Sequence, residues 1–294
     1  LPSAFSLCSQ ASLCPYWCDK QSMANFLTKR TTPKLTQIVS LIALLIFMPL
    51  LLLGTREVVS IITRASGTPA NIVVNTELTL EQLDFSFYHA FSQGGEESTD
   101  MLASVVSEVR ALKPKLIRLD HLFDHYDMNI QSDGTVSGWG KLDDAVATIL
   151  ATGAKPVLAL SYMPASIAKD GVIINPPNDW GAWAKVVQQT IEHFSGKGGK
   201  NLSGVYYEVW NEPDLAQFGS WRPGTYATLY QYASQGARSA QNVNTFYLGG
   251  PSTTGLYKTW ILALVKSGSR VDFLSWHKYE RDPTRFAKDQ EDII

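Results

Sequence analysis

The regular alternation of short apolar runs with longer amphipathic runs after residue 83 constrains the fold most. Apolar runs of strand length such as Lys155–Pro164 are followed by stretches such as Asp179–Phe194, whose apolar residues recur with helical spacing. The predicted strands are Leu83–Ala90, Lys115–Asp120, Lys155–Pro164, Gly204–Trp210, Phe246–Ser252 and Val271–Tyr279. The predicted helices are Thr99–Leu112, Leu142–Leu150, Asp179–Phe194, Tyr226–Ser239 and Tyr257–Lys266.

Strands that alternate with helices predict a parallel sheet whose faces are covered by helices. No Gly-x-Gly-x-x-Gly follows the first strand, so six βα steps favour a (β/α)8 barrel over a dinucleotide-binding fold. These steps occupy roughly 205 residues, whereas a complete barrel typically needs about 250. We therefore expect an incomplete (β/α)8 TIM barrel over residues 83–294, with about six of eight βα units and without strands seven and eight.

The residues before this domain are of three kinds. Residues 1–22 contain no methionine and the first one is Met23, so we interpret this segment as non-native translation upstream of the start. Residues 23–66 combine a cationic flank with the apolar run 38–54, which predicts a signal anchor. A cleaved signal peptide is the alternative interpretation. Residues 67–82 are predicted as a linker.

The apolar run also predicts where the domain lies. Three cations before residues 38–54 favour a cytoplasmic N-terminus, which places the domain outside the cytoplasm and attached to the membrane through this run. Cleavage of the segment would release a secreted protein instead.

Composition excludes some classes of partner and cofactor. The formal net charge of -2, without a basic stripe, gives no electrostatic basis for nucleic-acid binding. The spacing of the three cysteines, Cys8, Cys14 and Cys18, matches no zinc pattern. The sequence shows no other metal-ligand cluster and no phosphate-binding loop. We therefore expect neither a metal nor a cofactor.

Polar residues follow the predicted strands at their carboxyl ends, where the functional residues of a parallel barrel gather. Glu212 is the central candidate because it follows Asn211 and lies beside Trp210, at the end of an apolar strand. A partly dry, hydrogen-bonded setting favours a carboxyl group that donates a proton near neutral pH. Cleavage of an acetal needs such an acid and a second carboxylate.

Glu208 lies four residues before Glu212, on the same side of the same strand. Four residues of strand place it about 13 Å deeper than Glu212. The two catalytic carboxyl groups of a glycosidase are about 5–9.5 Å apart, so Glu208 is too distant to be the second group. We predict that it is a buried polar residue of the barrel interior.

Three segments of the sequence resemble one family of enzymes. The stretch "YYEVWNEPD" is similar to the fourth-strand signature of clan A glycoside hydrolases. The stretches "YLGGPSTTG" and "VDFLSWHKYE" resemble family 39 in particular, which contains β-xylosidases and α-L-iduronidases. The resemblance covers roughly residues 83–280 and implies a retaining glycosidase that acts on plant or microbial carbohydrate and needs no cofactor.

The resemblance also implies roles for individual residues. Glu212 would be the general acid/base, and Asn211 beside Trp210 would bind the sugar 2-hydroxyl. The remaining orienting residues would be Arg118, His277 and Tyr279. The nucleophile of the family is a glutamate that ends strand seven, which we expect to be missing from residues 1–294, so that this fragment would be inactive.

Other interpretations of these residues stay open at the level of sequence. Glu212 could cap a helix or form a salt bridge, and Arg118 could pair with Asp120 or Asp124. His277 could be an interior histidine and Tyr279 a packing aromatic. The whole protein could be a non-catalytic, membrane-anchored carbohydrate-binding protein, or a clan A glycanase of another family.

Overall fold

The computed structural model describes residues 90–93, 100–219, 221–282 and 284–293, together with Ile38, Leu44 and Phe47. The chain divides into two compact units, Leu1–Leu80 and Glu81–Ile294. In the first unit the three described residues are helical and exposed, and the predicted segments 1–22, 23–66 and 67–82 otherwise lie outside the described residues. No helix in the described part of the chain is long and apolar enough to cross a bilayer. Anchoring in a membrane and location outside the cytoplasm stay predictions.

A six-stranded parallel sheet forms the centre of the second unit. In chain order the strands are β1 (Ala90–Gln93), β2 (Leu116–Leu119), β3 (Asn129–Ile130), β4 (Val136–Ser137), β5 (Lys155–Leu160), β6 (Val205–Val209), β7 (Phe246–Thr253) and β8 (Phe273–Trp276). The sheet has the order β1-β2-β5-β6-β7-β8, and every neighbouring pair is parallel. This is the arrangement of a partial (β/α)8 barrel, so the barrel part of the predicted fold class is confirmed.

Helices follow the strands of this sheet. They are α1 (Val106–Ala111), α2 (Gly140–Ala151), α3 (Trp180–Ser195), α4 (Pro223–Ser239), α5 (Lys258–Lys266) and α6 (Thr284–Ile293). Helix α3 begins after Asp179, whose side chain accepts a hydrogen bond from the Gly181 amide at 2.7 Å and so satisfies a donor of the first turn. Its predicted apolar face, from Trp183 to Phe194, is fully buried in the core.

Several predicted elements differ from the structure at their ends; the predicted strand Lys155–Pro164, for example, ends at Leu160. The helix predicted at Thr99–Leu112 is only α1, because turns occupy the residues before it, and no residue of α1 is buried. Strand β1 begins where the predicted strand Leu83–Ala90 ends, and residues 83–89 lie outside the described residues. Strand β8 ends at Trp276, so the last residues of the predicted strand Val271–Tyr279 lie in the loop that follows.

Two glycines in β7 let neighbouring elements approach its backbone closely. A Cβ atom at Gly249 would collide with the backbone oxygen of Phe273 in β8, and one at Gly250 would collide with the Tyr226 hydroxyl of α4. That hydroxyl donates to the carbonyl of Val209, the last residue of β6, at 2.8 Å. The carboxyl ends of β6, β7 and β8 are therefore held close together, which positions the site described next.

Candidate active site

A cleft of about 290 Å³ opens at the carboxyl ends of the strands of the sheet. Its lining residues are Ser92, Arg118, Asp120, His121, Asn211, Glu212, Phe218, His277 and Tyr279. They come from the ends of β1, β2, β6 and β8 and from the loops that follow. Five of the six residues predicted from the sequence are in this set. The sixth, Trp210, is not.

The hydrogen-bonding pattern of the sheet continues beyond the ends of its strands into the site. Trp210 and Glu212 have left-handed backbone angles, with φ of 75° and 45°, so the chain turns sharply at the end of β6. The Glu212 amide still donates to the Ser252 carbonyl at 2.9 Å, and the His277 amide donates to the Thr253 carbonyl at 2.6 Å. The backbone of both candidate residues is thus fixed by β7.

The side chain of Glu212 is nearly buried and bonded to a histidine. Glu212 is 7% exposed, and its Oε1 lies 2.6 Å from His277 Nδ1. The other ring nitrogen, His277 Nε2, lies 3.1 Å from Ser252 Oγ. A chain of hydrogen bonds therefore connects the ends of β6, β8 and β7, with the carboxyl group of Glu212 at the cleft.

Arg118 binds three groups on the opposite side of the cleft. Its Nε donates to Glu208 Oε2 at 2.7 Å, its Nη1 to Asp120 Oδ2 at 3.2 Å and its Nη2 to Asn211 Oδ1 at 2.9 Å. Burial alone would lower the pKa of Arg118, but the charges of Glu208 and Asp120 outweigh it and raise the pKa. Glu208 is only 3% exposed, which confirms the prediction of a buried polar residue.

Because Arg118 donates to Asn211 Oδ1, the orientation of the Asn211 amide is determined. The Nδ2 of the same amide donates to the Tyr162 hydroxyl at 2.9 Å. Burial raises the pKa of Tyr162, with a further rise from the charges of Asp120 and Asp124, so this phenol stays neutral. Asn211 is thereby held between an arginine and a tyrosine, at a fixed position beside Glu212.

Trp210 lies behind the cleft and does not line it. Its side chain is fully buried and its indole N–H donates to the Phe218 carbonyl at 2.8 Å. Its ring packs edge-to-face against Tyr162, with centroids 5.3 Å apart. Trp210 therefore supports the loop that carries Phe218, and its predicted role in binding substrate would be indirect.

Four lining residues were not predicted as site residues, namely Ser92, Asp120, His121 and Phe218. Asp120 was considered only as a possible partner of Arg118. Ser92 lies in β1, beyond the end of the predicted strand, and His121 directly follows Asp120 after β2, so a search beyond the strand ends would have found both. Phe218 lies in a short 3₁₀ helix within the loop after β6, where sequence gives no comparable signal. Within the described residues, no group of three or more His, Cys, Asp or Glu side chains is arranged to hold a metal ion.

Comparison of the sequence with known proteins identifies related enzymes. The family described as glycosyl hydrolases family 39 matches residues 83–290. A β-xylosidase of Caldicellulosiruptor saccharolyticus is 31% identical over 175 residues, which are 53% of this chain and 35% of that protein. A β-xylosidase of Geobacillus stearothermophilus is 26% identical over 151 residues, which are 47% of this chain and 30% of that protein.

Solved structures show the same fold. A monomeric β-xylosidase from Caulobacter crescentus CB15 superposes with a TM-score of 0.55 at 26% identity, over 66% of this chain and 42% of that one. The GH39 enzyme from Xanthomonas axonopodis pv. citri superposes with a TM-score of 0.58 at 21% identity, over 69% of this chain and 46% of that one, which is evidence for the fold alone.

The chain spans about a third of the length of these curated relatives, 35% and 30% respectively. The match to the family nevertheless covers the whole region that contains the sheet and the cleft. The chain belongs to glycosyl hydrolase family 39.

Proposed function

We propose that this chain is part of a retaining O-glycosidase that acts on xyloside-like substrates, with Glu212 as the general acid/base. The observation that carries the proposal is the position of Glu212 at the end of β6, nearly buried, facing the cleft and bonded to His277 through Oε1. A carboxyl group in this setting can give a proton to a leaving oxygen and later accept one from water.

The other side chains of the cleft are placed to orient Asn211 and to contact a sugar. Arg118 and Tyr162 hold the amide of Asn211 beside Glu212, where its free hydrogen-bonding capacity is available to a sugar hydroxyl. Tyr279 is 84% exposed at the mouth of the cleft, a position from which its ring can contact a sugar. Arg118 itself orients these groups and does not take part in proton transfer.

The nucleophile is proposed to lie outside the described residues. Asp120 is the other carboxylate of the cleft lining, but its oxygens already accept from Arg118, from Ser161 Oγ at 3.3 Å and from the His121 amide. These contacts are consistent with a structural role for Asp120 in fixing Arg118. We place the nucleophile on a strand beside β8, as the resemblance to the family implies.

The choice of substrate rests on the relatives. The two curated relatives reported above are β-xylosidases, and the reaction needs only an acid and a nucleophile, so no cofactor is invoked. We expect the intact enzyme to release xylose from xylobiose and from aryl xylosides.

Replacement of the acid tests this proposal. In the intact enzyme, Glu212→Gln should slow hydrolysis of xylobiose by about 10²–10⁴-fold, because the leaving oxygen then departs unprotonated. The same variant should slow the first step of 4-nitrophenyl xyloside cleavage by a smaller factor, since nitrophenolate leaves without a proton. Added azide should restore turnover of this substrate, because azide attacks without a general base.

The matched control is Glu192→Gln, an equal change on α3 away from the cleft, which should leave both rates unchanged. Full xylobiose hydrolysis by Glu212→Gln would contradict the assignment of the acid. Binding of xylobiose by the wild-type protein without any turnover would favour the non-catalytic carbohydrate-binding protein.

A further inference from the structure

Ser252 contacts both members of the Glu212–His277 pair. Its backbone carbonyl accepts from the Glu212 amide at 2.9 Å, and its hydroxyl oxygen lies 3.1 Å from His277 Nε2. Ser252 is fully buried near the end of β7, with a left-handed φ of 54° that differs from the extended backbone of the strand. One residue therefore fixes the backbone of the acid and touches the ring that binds its carboxyl group.

Burial decides the direction of the hydrogen bond between Ser252 and His277. A buried hydroxyl that fails to donate leaves an unsatisfied polar group, which proteins rarely tolerate. Among the described residues, His277 Nε2 is the one hydrogen-bond partner of the Ser252 hydroxyl. On this ground we assign the hydroxyl as the donor, with Nε2 accepting as the unprotonated nitrogen of a neutral ring.

The tautomer of His277 then determines the role of each oxygen of Glu212. With Nε2 unprotonated, the ring proton is on Nδ1, which donates to Glu212 Oε1 at 2.6 Å. In a neutral carboxyl group the carbonyl oxygen accepts a hydrogen bond better than the hydroxyl oxygen does, so the bond from Nδ1 favours Oε1 as the carbonyl oxygen. The proton of a neutral Glu212 is thus carried by Oε2.

Arg118, on the opposite side of the cleft, is engaged by groups other than Glu212. The guanidinium group of Arg118 uses its Nε, Nη1 and Nη2 on Glu208, Asp120 and Asn211. Among the described residues, His277 is the side chain that hydrogen-bonds the carboxyl group of Glu212.

We propose that Ser252 is a positioning residue that, through His277, keeps the transferable proton of Glu212 on Oε2. In the first step the nucleophile bonds to the anomeric carbon as the glycosidic C–O bond breaks, and the leaving oxygen keeps that electron pair and takes the proton from Oε2. In the second step water bonds to the anomeric carbon as the bond to the nucleophile breaks, and Oε2 accepts the proton of the water. This inference rests on the proposed role of Glu212 as acid/base.

Nitrogen NMR of histidine shows directly which ring nitrogen is protonated, and the measurement does not depend on catalytic activity. The full chain, labelled with ¹⁵N-histidine, is observed at pH 8, above the ordinary titration range of imidazole. We expect His277, assigned by its loss in His277→Gln, to show a protonated Nδ1 and an unprotonated Nε2. A protonated Nε2, in either an imidazolium or the other tautomer, would overturn the proposal without any variant of Ser252.

Ser252→Ala removes the donor and should convert the His277 signals to those of a mixture of tautomers. The matched control is Ser195→Ala, because Ser195 is also a fully buried serine whose hydroxyl bonds a ring side chain, Tyr207, at 2.9 Å. The control should destabilise the protein to a similar extent and leave the His277 signals unchanged. Identical spectra of Ser252→Ala and wild type would overturn the proposal.

Kinetics of the intact enzyme separate this inference from the proposed function. Ser252→Ala should lower kcat for xylobiose about five- to tenfold, the scale of one lost hydrogen bond, with KM unchanged and the 4-nitrophenyl xyloside much less affected. If Glu212→Gln slows hydrolysis of xylobiose more than that of the 4-nitrophenyl xyloside, and Ser252→Ala does not, only the role of Ser252 fails. If Glu212→Gln lacks that difference, the proposed function itself fails.

Discussion

The two sides of the cleft hold their polar groups in different ways. On the β2 side, Arg118 binds two carboxylates and an amide, and one of those carboxylates, Glu208, lies in the core. On the β8 side, a single histidine binds Glu212, the His277 side chain is 23% exposed, and Tyr279 stands in solvent. The β2 side thus consists of paired charges around Arg118, whereas the β8 side is a chain of hydrogen bonds from Glu212 through His277 to Ser252.

We infer from this difference that the β2 side contributes mainly to stability and the β8 side mainly to catalysis. Charges that are buried and paired cannot change protonation without a large cost, so the β2 side serves as a fixed template. A carboxyl group that must lose and regain a proton in each cycle needs fewer fixed charged partners, and on the β8 side His277 is the one described side chain that hydrogen-bonds Glu212. Changes on the β2 side should therefore affect folding, and changes on the β8 side should affect turnover.

Arg118→Met should give the largest loss of stability. It leaves the Glu208 carboxylate buried without its partner, which costs about 3–5 kcal/mol of unfolding free energy. Urea denaturation followed by circular dichroism measures this loss. Adding Glu208→Gln in the same chain should recover part of it, because a neutral amide is less costly to bury.

Lys185→Met is the control for Arg118→Met, since it breaks a pair of similar length, 2.9 Å, with Asp133 on the surface. Its cost should be at most about 1 kcal/mol. The proposed contrast would be wrong if Arg118→Met and Lys185→Met had the same effect.

Alkaline pH should destabilise the buried body of the sheet and helices. Burial raises the pKa of Tyr207 in β6 and of Tyr226 in α4 above the ordinary value of about 10. Above pH 10 the unfolded chain therefore loses these protons while the folded chain keeps them, so stability falls as pH rises. Each tyrosine should contribute about 1.4 kcal/mol per pH unit in this range, measured from urea midpoints.

Tyr207→Phe tests whether Tyr207 itself contributes to the loss of stability at alkaline pH. It should lower stability at pH 9 by about 1 kcal/mol, because the bond to Ser195 is lost. It should also make the decline above pH 10 shallower. An unchanged slope would show that Tyr207 ionises equally in the folded and unfolded chains.

His277→Ala should separate the two properties on the β8 side. We expect it to lower unfolding free energy by about 1 kcal/mol, since one partly exposed hydrogen bond is lost. Hydrolysis of xylobiose should fall by at least about tenfold, because the carboxyl group of Glu212 loses its partner. His277→Asn, whose amide can donate from a position near Nδ1, should recover part of the activity. A stability loss as large as that of Arg118→Met would remove the distinction between the two sides.

Tyr279→Ala should have the smallest effect on folding. The side chain is 84% exposed, so unfolding free energy should change by less than about 0.5 kcal/mol. Loss of ring contact with a sugar should raise KM about two- to tenfold with kcat nearly unchanged. An unchanged KM would show that Tyr279 does not contact the substrate.

The parallel sheet could be predicted from sequence because burial on both faces produces apolar runs that alternate with helical periodicity. The β3–β4 pair escaped prediction because two-residue strands carry no periodic signal. Helix α1 is shorter than the predicted helix Thr99–Leu112. Apolar residues at helical spacing predict a buried face there, but Val105 and Leu112 are exposed.

For the site, the carboxyl ends of the strands led to Arg118, Asn211, Glu212, His277 and Tyr279, all of which line one cleft. Sequence spacing could not show the contacts between them, because these depend on the left-handed turn at the end of β6. The same turn directs Trp210 into the core, although its place in the motif suggested contact with substrate.

The backbone bonds from Glu212 to Ser252 and from His277 to Thr253 have a consequence for hydrogen exchange. Loop amides usually exchange quickly with solvent deuterium, yet these two are donors in the ladder of a buried strand. Their exchange should proceed only when β7 separates from its neighbours, at rates typical of the core. The residues proposed for proton transfer would then be among the slowest in the protein to exchange their own backbone protons.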